Sequence, residues 1–200
     1  MNPYELMINT NNYLIKGGEL TESQKNNIVN QFLNARSDER TKQNFHKSMG
    51  GAMYPQYFIP PYNNGKKFQT VIPMSPKTHI LSANAYELEI LRLLALFAPD
   101  NSEVKDMIEK TLARLKKTCF GYQSCHIGEC FHSGLIVLRF LAAVRPDDTA
   151  WIKKLIALYK NHAGDTKRHS GVQKYYMLCL SELPEEFADP EENRQIRFAV

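Results

Sequence analysis

An all-α fold built from tandem α/α hairpins is predicted for these 200 residues, and three observations predict it. From Ala83 onward apolar residues recur at helical spacing, in segments that alternate between nearly all-apolar and one-sided. Pro-Asp pairs separate these segments at Pro99-Asp100 and Pro146-Asp147. The stretches ILRLLALFAPDNS (90–102) and VLRFLAAVRPDDT (137–149) also share Leu-Arg, Leu-Ala and Pro-Asp pairs at one offset.

The first elements are read from their ends. PYELMINTNNYLI has the pattern of a helix, and Thr21-Glu22-Ser23-Gln24 forms a capping box that opens a second helix to about Ala35. Residues 1–49 are therefore N-terminal helices. The segment 50–82 is irregular, because the five prolines between residues 50 and 76 bar a continuous helix. Its aromatic residues either pack down on the helices or line a cleft, which makes Tyr57 a candidate ligand contact. A short hairpin is expected at Asn63-Asn64-Gly65.

Residues 83–184 hold the hairpins. AYELEILRLLALFA (85–98) is apolar on most sides and reads as a buried inner helix. SEVKDMIEKTLARLKK (102–117) confines Val104, Met107, Ile108, Leu112 and Leu115 to one face and reads as an outer helix. The pair recurs as SGLIVLRFLAAV (133–144) and TAWIKKLIALYK (149–160), and a third round opens at Gly171. Ser102 and Thr149 are the expected caps after the Pro-Asp turns. His132-Ser133-Gly134 and His169-Ser170-Gly171 are identical and are expected to start two inner helices. Arg92 and Arg139, equivalent in the repeat and set among apolar residues, call for a buried carboxylate, such as Glu87 or Glu89, or for carbonyls. Residues 185–200 are read as a tail.

Composition bounds the function. One domain spanning residues 1–200 is expected, and 43% hydrophobic residues supply an ordinary core. No basic-then-apolar leader or membrane-length apolar run is present, so a soluble, cytoplasmic protein is expected. The net charge of +4 is spread over scattered lysines and arginines, which ranks nucleic acid last among possible partners. Four cysteines in a chain of this size are expected to stay reduced.

An apolar inner helix, a Pro-Asp turn, an amphipathic outer helix and a glycine-containing loop (Phe120-Gly121-Tyr122, Ala163-Gly164-Asp165) resemble the repeat of the terpenoid cyclase and prenyltransferase α/α toroids over residues 83–184. The acidic Asp-x-Asp-Asp motif of the cyclases is absent, and about four hairpins stand where a closed toroid uses five or six. The resemblance thus implies an incomplete α/α toroid or an open helical-repeat arc. A HEAT-like solenoid is the nearest competing architecture.

Chemistry concentrates in TCFGYQSCHIGECFHSG (118–134), with three of the four cysteines and two of the six histidines. If the loops before the inner helices gather at one end of the bundle, Cys125, His126, Glu129, Cys130 and His132 meet His169. Three readings follow. A metal site is the first: Cys119, Cys125, His126, Cys130 and His132 are close enough in sequence for three or four to converge on zinc, with Cys125, His126 and Cys130 as the central candidates. The Cys125-His126 pair also resembles the Cys-His pair with which lanthionine cyclases bind zinc. A thiol active site is the second, with Cys130 as nucleophile near a helix start, His132 or His169 as base and Glu129 beside them. The third is structural, with the cysteines acting as small apolar residues. It leads, and no cofactor is therefore expected, zinc being the minor alternative.

The resulting expectation is a binding module with a concave surface or cleft for a small ligand, protein or peptide, in which Tyr122, Cys125, His126 and Tyr57 make contacts. The alternative is an α/α-toroid enzyme using Cys130, His132, His169 and Glu129.

Overall fold

The computed structural model describes residues 2–49, 53–60, 69–72, 76, 79–123, 125–162 and 170–199. Among them the fold is all-helical: α1 (Pro3–Ile15), α2 (Glu22–Asn34), α3 (Glu39–Met49), α4 (His79–Phe97), α5 (Ser102–Leu115), α6 (Glu129–Val144), α7 (Thr149–His162), α8 (Ser170–Ser181), a 3-10 turn (Glu185–Phe187) and α9 (Pro190–Ala199). No described helix is long and apolar enough to cross a membrane. The Asn63-Asn64-Gly65 hairpin and His169 lie outside the described residues.

Hydrophobic patterning dictates the layering. Every residue of α4 from Leu81 to Leu94 is buried, and so is every residue of α6 from Ser133 to Leu141. α4 packs on α1, α2, α5 and α6, while α6 packs on α4, α7 and α8, and α8 on α9. The one-sided helices bury the expected faces: Val104, Met107, Ile108, Leu112 and Leu115 on α5, and Trp151, Ile152, Leu155, Ile156 and Tyr159 on α7.

Several boundaries differ from the sequence reading. The cap of α5 is Asn101, one residue before Ser102; its side-chain oxygen accepts from the Glu103 and Val104 amides at 2.9 and 3.1 Å. Asp148 likewise replaces Thr149, accepting from the Trp151 amide at 3.2 Å. α6 starts at Glu129, so His132-Ser133-Gly134 lies inside the helix and Ser133 is no cap. In the matching triplet, α8 is described from Ser170 onward. The expected tail contains α9, nucleated by Asp189: its carboxylate accepts from the Glu191 and Glu192 amides, and Glu192 accepts from the Asp189 amide in return.

Two buried ionic clusters tie the layers together. Arg139 of α6 donates from Nη1 to both oxygens of Glu89 on α4 (2.9 and 2.8 Å), and from Nε and Nη2 to Glu182 (3.0 and 2.8 Å). Arg92 donates to the same Glu182 at 2.6 Å and to Asn11 of α1 at 3.3 Å. The Tyr175 hydroxyl donates to Glu89. Burial opposes the Arg139 charge, but Glu89 and Glu182 outweigh it and hold its pKa well above the usual value. Two guanidiniums facing two carboxylates leave this cluster neutral in sum, as burial demands.

The second cluster fixes the proline-rich segment. Glu87 accepts from the Gln56 and Tyr57 amides through one oxygen (2.6 and 2.7 Å) and from Arg114 through the other (2.7 Å). Asn84 donates to the Met53 carbonyl at 2.9 Å and accepts from Arg114 at 2.9 Å. Phe58 is fully buried beside them. This part of the segment therefore packs down on α4, and Glu87 compensates for backbone donors that proline-rich chain cannot satisfy within a helix.

Candidate functional site

The α5–α6 connection is a chain of short turns held from below. Thr118, fully buried, donates its hydroxyl to the Leu115 carbonyl at 2.8 Å and accepts from the Gly121 amide at 3.0 Å. A Cβ at Gly121 would stand 2.3 Å from the Leu115 oxygen, so only glycine fits this close approach. Trp151 of α7 donates from its indole nitrogen to the Gly121 carbonyl at 2.6 Å. The loop ends at Gly128, whose φ of +55° is a conformation other residues rarely adopt, and α6 begins there without a side-chain cap.

This path brings three cysteines together. Cys119 sits in the first turn after α5, Cys125 donates its amide to the Cys119 carbonyl at 3.1 Å, and Cys130 lies in the first turn of α6. The Sγ atoms of Cys119 and Cys130 are 3.6 Å apart, and all three Sγ atoms lie within 4.8 Å of one another. Each of the three is half-buried, whereas Cys179 is fully buried in α8.

The remaining sequence candidates have other surroundings. His126, exposed at the loop surface, stacks flat on His162 of α7, with ring centroids 4.1 Å apart and planes 3° from parallel. Glu129 and Cys130 are the first two residues of α6, and His132 follows within the same helix. Two residues of helix turn a side chain by about 200°, so Cys130 and His132 project in different directions. Tyr122 is exposed, its ring meeting Trp151 edge-on at 5.6 Å with the Lys154 ammonium 4.3 Å from its centroid. Tyr57 is fixed elsewhere, by its amide to Glu87 and its carbonyl to the Ser37 amide.

The electrostatics of the cluster work against a nucleophile. Burial, with the Cys119 and Cys125 thiols close by, pushes the Cys130 thiol up to about 12, so it is protonated at neutral pH. The group is suited instead to hold a soft cation. Metal–sulfur bonds of about 2.3 Å separate the sulfurs of a trigonal or tetrahedral centre by about 4 Å. The spacings here, 3.6 Å for one pair and no more than 4.8 Å for any, are compatible with that value, and Cys-x5-Cys-x4-Cys in residues 119–130 is its sequence signal. The His126–His162 stack has no comparable signal, since the two residues come from separate elements.

Comparison of the chain with known protein families, with curated proteins and with solved structures finds no match.

Proposed function

We propose that the chain is a helical binding module: tandem α/α hairpins in an open arc, engaging a protein or peptide at the α5–α6 edge. One observation carries the reading. Ile127 is 72% exposed and Tyr122 44% exposed within one short loop, whereas the other large exposed apolar side chains among the described residues, Tyr13 of α1 and Leu96 of α4, stand singly on separate helices. Paired apolar exposure of this kind marks contact surfaces. The burial of α4 and α6 along most of their lengths favours the edge over a concave inner face as the place of contact. The Lys154 ammonium over Tyr122 and the Lys116 ammonium over Trp151 make the edge basic as well as aromatic. An extended segment combining acidic and apolar residues suits such a surface.

Site-specific photocrosslinking tests the proposal. A photoreactive residue in place of Ile127 is expected to give a discrete adduct in cells, competed away by excess unlabelled chain. The same probe in place of exposed Glu22 on α2 gives none. Equal labelling from both positions, or none from either, removes the reading.

A further inference from the structure

We infer that Cys119, Cys125 and Cys130 form a three-thiolate binding site for one soft, closed-shell metal ion, the ligand chemistry shared by zinc(II) and copper(I). The inference stands apart from the binding-module reading, because it rests on the thiols alone.

Three features of the structure support it. The Sγ separations, 3.6 Å for Cys119 and Cys130 and at most 4.8 Å for the whole group, are compatible with the sulfur–sulfur distance of a metal thiolate centre. They exceed the S–S bond of about 2.05 Å. The three cysteines come from three different backbone settings, yet a hydrogen bond between Cys125 and Cys119 and the turn at Gly128 hold them together. All three are half-buried, whereas Cys179 is fully buried, so the group remains within reach of an ion from solvent.

Packing alone explains a single half-buried cysteine, but not three converging sulfurs. The reaction is a ligand exchange. Each thiol passes its proton to solvent as its sulfur–metal bond forms, and no electron is transferred. Three thiolates complete a trigonal copper(I) centre, whereas zinc takes a fourth ligand from solvent or a bound molecule. Soft sulfur ligands select against magnesium and calcium.

The full chain, purified under reductant and stripped of metal, is titrated separately with zinc(II) and with copper(I) against a competing chelator. Expected is one ion per chain for at least one of the two metals, and the tighter one identifies the ion. Cys119→Ser, Cys125→Ser and Cys130→Ser each weaken binding by about 100-fold or more, beyond the ten- to hundredfold typical of groups outside the ligand set. Cys179→Ser, in α8, leaves it unchanged.

Unaltered chain provides a second reading that does not depend on variants folding. The bound ion slows alkylation of Cys119, Cys125 and Cys130 together, read by mass spectrometry of the peptides. Failure of both ions to bind at one per chain overturns the proposal. So does binding that survives any one of the three substitutions, or protection that omits one of the three thiols.

Discussion

Glu182, just beyond the end of α8, receives both Arg92 of α4 and Arg139 of α6, at 2.6 and 2.8 Å through a single oxygen. Arg139 is itself 1% exposed. Its replacement by methionine leaves Glu89 without its guanidinium partner in the core, and the expected loss of stability is about 3–5 kcal/mol. Urea denaturation measures it. Removing the exposed Lys110–Asp106 pair on α5 serves as the contrast, and an equal effect there would contradict the assignment.

The same cluster sets an acid limb. Burial raises the Glu182 pKa, but Arg139 and Arg92 outweigh it and hold the carboxyl below its ordinary 4.5. A carboxyl depressed in the folded state stabilises the fold above its unfolded pKa and loses that contribution as pH falls through the folded value. Stability is therefore expected to decline as pH drops below about 4.5. Glu182→Gln lowers stability at neutral pH and makes this decline shallower, as denaturant midpoints across pH would report.

Glu87→Gln weakens the attachment of the proline-rich segment, because its carboxylate holds the Gln56 and Tyr57 amides and Arg114 at once. Hydrogen exchange at these two amides is expected to accelerate by more than at the amides of α6. Uniform acceleration across the chain would instead mean a global loss of stability.

The caps give a sharp contrast between neighbours. Asn101→Ala is expected to cost about 1 kcal/mol, since two amides of α5 lose their acceptor, whereas Ser102→Ala costs little. Thermal denaturation of the two variants decides between them.

At Gly121 the added methyl of alanine would collide with backbone at the Leu115 carbonyl. Gly121→Ala is expected to destabilise the chain by about 1–3 kcal/mol. Trp151, the single tryptophan, bonds to the Gly121 carbonyl, so its fluorescence should shift in the variant. An unchanged spectrum together with unchanged stability would mean that this contact does not hold the loop.

Element type was legible wherever periodicity persisted. The face of α5 from Val104 to Leu115 and that of α7 from Trp151 to Tyr159 are read directly from apolar spacing. The need of Arg139 for a buried polar partner was also visible, because a charge amid apolar residues must be paired, and Glu89 was one candidate. Glu182 as the second partner was not, since it lies 43 residues away and only tertiary packing brings it near.

Boundaries were lost where two residues of similar chemistry adjoin. Asn101 and Ser102 can both cap, as can Asp148 and Thr149, and geometry chooses the earlier of each. Of the two His-Ser-Gly triplets the first misled for a related reason, since Gly128 lets α6 begin at Glu129, ahead of His132. In the cysteine loop, spacing identified the residue types but not their directions. Only the structure joins Cys119 to Cys125 and Cys130, and turns His126 toward His162 instead.

The position of Glu182 also bears on the order of assembly. Arg92 and Arg139 are both synthesised well before their common carboxylate, which lies 90 and 43 residues downstream of them respectively. A chain in which Glu182 has not yet been made holds two guanidiniums against Glu89 alone. α4 and α6 thus have an electrostatic reason to stay loosely associated until the end of α8 arrives.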